Sequence, residues 1–145
     1  MKTISYKGKI EANTQEEIRL STIQGKIGYK IRKLSIIGEE PGEETVELIL
    51  KIYKIKQDTI NNTVDFSDDT LLGVAYLIDS SSTATVTADN IIFDNEMFNQ
   101  DIYVTAVDAS GSNRATNYYL ELEQFKLNDI ETTMATLKDI RTIES

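Results

Sequence analysis

Two acidic clusters are the side chains best placed to do chemistry: Asp65, Asp68 and Asp69 in one polar stretch, and Asp89, Asp94 and Glu96 around another. Paired carboxylates carry out glycoside hydrolysis when they flank a cleft at about 5–10 Å, and clustered carboxylate oxygens are what a hard cation such as calcium takes as ligands. Neither stretch follows the spacing of a calcium-binding loop, so solvated turns in an acidic protein are the simpler reading and no metal ligand is assigned. The other common catalytic groups are missing. With no histidine and no cysteine, the chain has no serine-histidine triad, zinc-histidine or thiolate site, cysteine nucleophile or disulfide. No G-x-x-x-x-G-K-[ST] or G-x-G-x-x-G loop occurs either, so no phosphate cradle is expected. The sequence therefore reads as non-enzymatic, with no catalytic residue and no cofactor.

Binding remains, and charge and tyrosine point to where. The chain has 145 residues and a net charge of −9. Residues 1–33 hold eight basic and three acidic side chains, a net of +5, while the remaining 112 hold seven and twenty-one, a net of −14. Such a division suits a basic edge docking on an acidic partner, unless folding interleaves the two parts. Lys30, Arg32 and Lys33 are the basic interface candidates. Tyr103, Tyr118 and Tyr119 are the aromatic ones, because tyrosine is enriched at protein interfaces, although cross-strand packing is the preferred account of them. The absence of tryptophan weakens a sugar-stacking platform. Nucleic acid is not an expected partner of so acidic a chain whose basic residues are not interleaved with stacking rings. No apolar run approaches the roughly 18 residues of a membrane span, and the alternating start, Met1 to Lys7, reads as a strand and not as a secretory signal.

The elements that position these residues follow from period-two alternation in β-branched and aromatic side chains. Strands are expected near residues 2–11, 27–37, 45–55, 71–78, 83–88 and 90–93, with a turn at Glu39-Glu40-Pro41-Gly42-Glu43 and a polar loop over 57–70. The strand at 45–55 is apolar on one face and mixed on the other, which predicts a central strand covered on both sides. Residues 101–107 and 117–123 flank Ala109-Ser110-Gly111-Ser112-Asn113, a hairpin signature. Residues 130–143 fit a short helix or a final strand, with strand preferred. Eight or nine short strands in a chain of this length predict one domain: an all-β, antiparallel β-sandwich, jelly-roll-like, with at most one short helix.

Phe93-Asp94-Asn95, Asn99-Gln100-Asp101-Ile102-Tyr103-Val104, Asn117-Tyr118-Tyr119-Leu120-Glu121-Leu122-Glu123 and Thr136-Leu137-Lys138-Asp139-Ile140-Arg141 resemble small virion structural proteins of tailed phages, especially those infecting marine bacteria. The likeness runs over residues 44–143 and brings no catalytic residues. It implies a β-sandwich or jelly-roll module that decorates or cements a capsid, or forms part of a head fibre or tail. The implied location is the virion, after synthesis in the host cytoplasm, and the implied partners are shell proteins and further copies of the chain, as a homo-oligomer or within a larger assembly. Two other classes stand beside it: a module binding carbohydrate or a host surface through tyrosines and acidic loops, and a carboxylate-based hydrolase.

Overall fold

The computed structural model describes residues 2–20, 26–80, 85–93 and 96–126. Among these residues there are eight strands and no helix: β1 (Lys2–Ile10), β2 (Thr14–Ile18), β3 (Ile27–Gly38), β4 (Val46–Tyr53), β5 (Leu71–Ser80), β6 (Thr85–Ile92), β7 (Ile102–Asp108) and β8 (Thr116–Lys126). They form two antiparallel sheets, one of three strands in the order β1-β8-β3 and one of five in the order β2-β7-β4-β5-β6. The sheets pack against each other as a β-sandwich. In a jelly roll one antiparallel ribbon is rolled up, so the first strand pairs with the last and the pairing nests inward. Three of the four nested pairs are ladders here: β1 with β8, β2 with β7, and β4 with β5. The fourth is a seam. Strand β6 is laddered to β5 and touches β3 through the Asn90 side-chain amide, which donates to the Leu34 carbonyl.

Alternation explains which side chains meet between the sheets. Leu50 and Ile52 of β4, Val104 and Ala106 of β7, and Leu120 and Leu122 of β8 share one buried cluster with Ile10, Leu34 and Phe98. Each such aliphatic side chain removed from water contributes about 1.5–3 kcal/mol. Strand β3 needs an irregularity to join this core. Its apolar residues fall at 27, 29, 31, 34 and 36, a pattern that changes phase after Ile31, and a β-bulge between Ile31 and Lys33 absorbs the extra residue, Arg32. Tyr29, Ile31, Leu34 and Ile36 thereby all face inward, and Ile37 is left pointing out at 54% exposure.

The central-strand expectation for 45–55 holds, since every residue of β4 except Glu47 is buried. The turn at Pro41 is also present, with Gly42 in the left-handed region at φ 84°. The hairpin is a correction: β7 pairs with β2 and β4, and β8 with β1 and β3, so the chain crosses from one sheet to the other between them. Asp108 directs the crossing. Its buried carboxylate accepts from the Glu47, Ser110 and Arg114 amides at 3.1, 3.0 and 3.1 Å and from Ser110 Oγ at 2.6 Å, turning the chain out of its sheet. The two short strands expected at 83–93 are one, β6, and β2 was not foreseen because Ile18 is its only buried residue. The segment 130–143 lies outside the described residues.

Candidate functional site

The outer face of the three-stranded sheet is built in rows that the strand register dictates. Opposed residues of antiparallel strands share a face, so Thr3, Glu123 and Lys30 form one row and Ser5, Glu121 and Lys33 the next. Lys7, Tyr119 and Ser35 follow, then Lys9, Asn117 and Ile37. The third and fourth rows border an open groove of about 620 Å³. Outward-facing Ile37 and Tyr119, 54% and 38% exposed, line it with Lys7, Ser35 and Asn117, and the intervening core-facing row of Gly8, Tyr118 and Ile36 completes its lining. The Lys33 ammonium lies 5.8 Å from the Tyr119 ring centroid, a cation–π contact at the groove's edge.

The six interface candidates therefore separate. Lys30, Lys33 and Tyr119 lie on this one face, and Arg32 sits exposed at the bulge beside them. Tyr118 points the other way: 7% exposed, it packs its ring against Gly8 and within the core, and burial followed by the charge and hydrogen bond of Glu16 pushes its phenol above the ordinary value. Tyr103 belongs to the other sheet, opposite Tyr53 and Glu17. Burial, then Glu17 and Asp101, raise its phenol as well.

Folding sorts charge by sheet. Strands β1 and β3 carry three cations each and no acid, and β8 carries Glu121, Glu123 and Lys126, so the three-stranded sheet totals +5. In the five-stranded sheet β2 holds Glu16 and Glu17, β5, β6 and β7 hold one aspartate each, and Glu47 and Lys51 of β4 cancel, a total of −5. Asp79 and Asp108 among these are buried.

The far side of the five-stranded sheet is capped by residues 54–70. Lys51, 3% exposed, fastens this cap: its ammonium donates to the Thr63 carbonyl at 2.6 Å and to Asn61 Oδ1 at 3.4 Å and lies 5.5 Å from the Tyr53 ring. Burial lowers its pKa, with Asp68 acting in the opposite sense. The Tyr53 phenol is pushed up to about 12 by burial, Asp68 and Asp65. Asp65 and Asp68 are occupied in their own turns, accepting from Ser67 and Thr70 amides and hydroxyls. Among the described residues no three acidic side chains converge on a point that would hold a cation. At the tip of the cap, Val64 and Phe66 are 43% and 56% exposed, with Phe66 edge-on to Phe93 at 5.2 Å.

Ile37 and Phe66 are exposed surface features that strand alternation alone does not pick out. Two signals mark them in the chain: an Ile36-Ile37 pair in a strand forces one isoleucine outward, and an aromatic residue amid Asp65, Ser67, Asp68 and Asp69 has no place in a merely solvated turn. Comparison with protein-family models, with curated proteins and with solved structures finds no match to this chain.

Proposed function

We propose that this β-sandwich is a structural module that works through protein–protein contacts, as a decoration or other structural component of a phage virion. The observation that carries the contact role is the outer face of the three-stranded sheet: an apolar groove with exposed Ile37 and Tyr119, rimmed by lysines, on a sheet of net +5 in a protein of net −9. Exposed apolar surface inside a charged rim is the make-up of an association site, where the rim steers encounter and the apolar centre holds. The virion assignment rests on the resemblance of residues 44–143 to small phage particle proteins.

The test is incorporation. Alanine is the right substitution at Lys30 and Lys33, because glutamate there would oppose Glu123 and Glu121 and weaken the sheet itself. A Lys7→Ala, Lys30→Ala, Lys33→Ala variant, folded by circular dichroism, is expected to enter particles several-fold less than the parent in a competition between the two. Equal incorporation contradicts the assigned face. A second reading, carbohydrate binding, is favoured by the exposed Tyr119 ring beside Ser35 in its row and Asn117 in the next. Saturable glycan binding lost in Tyr119→Ala would promote it over the first.

A further inference from the structure

We propose that copies of this chain associate head to tail, the Val64–Phe66 tip of one copy seating in the Ile37–Tyr119 groove of the next. This deepens the assembly reading and rests on it. Two exposed apolar patches on the described surface are complementary in charge. One is the open groove of about 620 Å³, lined by Lys7 and with Lys33 beside it over Tyr119, while Lys9 in the next row is paired with Glu39 at 3.3 Å. The other is the tip of the 54–70 cap, where Phe66 stands 56% exposed among Asp65, Asp68 and Asp69. An exposed aromatic side chain in an acidic stretch suits an apolar groove bordered by Lys7 and Lys33, and each patch repels its own kind.

The two patches lie on opposite sides of the sandwich. Phe66 rests on Phe93, which packs against Tyr53, Leu71 and Val74; Tyr53 follows the core-facing Ile52 on β4, so this cluster is on the outside of the five-stranded sheet. The groove is on the outside of the three-stranded sheet. One molecule cannot close both contacts on itself. A contact between unlike patches is heterologous, and repeating it gives a ring or an open array according to the rotation between neighbours. This places the partner as a second copy and uses both ends of the charge division.

Complementary variants decide the matter. Phe66→Asp destroys the tip and keeps the groove; Ile37→Glu destroys the groove and keeps the tip; both sites are exposed, and circular dichroism verifies each fold. In sedimentation velocity the parent should grow with concentration, each variant alone should stay monomeric at a concentration where the parent is mostly associated, and an equimolar mixture should yield a dimer and nothing larger. A charge-exchange pair, Lys7→Glu with Asp69→Lys, provides the same test should Ile37→Glu fail to fold: each alone weakens association at least several-fold and the mixture recovers it. A parent that remains monomeric at several hundred micromolar, variants that associate as the parent does, or a mixture that stays monomeric would each overturn the head-to-tail contact. A parent that is monomeric yet incorporated in particles overturns this contact and leaves the assembly reading intact. Self-association of a protein absent from particles does the reverse.

Discussion

Single side chains decide where the chain turns, and Asp108 is the clearest. Its carboxylate holds three backbone amides and the Ser110 hydroxyl from a buried position at the end of β7. Burial pushes its pKa up, but the hydrogen bonds from Ser110, Arg114 and Glu47 prevail and hold it below the ordinary 3.8. A carboxylate whose folded pKa is depressed contributes stability in full above its unfolded value and loses it as pH falls through the folded one. Asp108→Ala is therefore expected to cost about 2–4 kcal/mol at neutral pH, several hydrogen bonds at roughly 1 kcal/mol each. The difference from the parent should shrink as pH drops below 4, which urea titrations at pH 7 and pH 3 would measure. A difference unchanged by acid would mean that the ionised group is not what organises the crossing. No motif announces this role, because an aspartate at the end of an apolar strand followed by Ala-Ser-Gly-Ser-Asn reads equally well as the start of a hairpin. Both strands were legible there; their separation into different sheets was not, since alternation states which side chains are inward and says nothing of which strand lies alongside.

At the scale of elements, legibility followed burial. Strand β4 stood out because every residue of it but Glu47 is buried, whereas β2, reading Thr-Gln-Glu-Glu-Ile, is a polar edge strand whose position is dictated by its ladder to β7 and not by its own pattern. Strand β3 lies between these cases, because its change of phase is visible in the sequence while the bulge that resolves it is tertiary. Deleting Arg32 would bring Tyr29, Ile31, Leu34 and Ile36 into uninterrupted alternation, and is expected to be tolerated at no more than about 1–2 kcal/mol. Deleting Lys30 instead displaces Ile27 and Tyr29 to the wrong face and should cost several kcal/mol or abolish folding. Thermal melts of the two deletions compare them directly. Equal destabilisation would show that the bulge itself, and not the inward set it preserves, is required.

The whole molecule is a sandwich with its charge divided between layers, +5 on the strands of one sheet and −5 on those of the other. The division was partly legible: residues 1–33 are basic on balance and supply β1 and the cationic first part of β3, the two edges of the three-stranded sheet, although they also supply the acidic β2 of the other sheet. The interleaving of those edges with Glu121 and Glu123 of β8 was not legible, because it depends on the pairing of distant segments. Electrostatic contacts of exposed groups weaken as the screening length falls from about 10 Å at 0.1 M salt to about 3 Å at 1 M. Self-association is accordingly expected to decline at least several-fold between those salt concentrations, with the apolar contribution of Ile37, Tyr119 and Phe66 leaving a residual. Light scattering across a salt series measures it. Association that strengthens with salt would identify an apolar contact in which the charge division plays no part.

The proposed role, a module built into a phage particle, is tested most directly by quantitative mass spectrometry of gradient-purified phage particles. The account predicts the chain at a fixed ratio to the shell protein, retained through washing at physiological salt and released in part at 1 M. Its absence from particles whose other structural proteins are all detected would contradict the account.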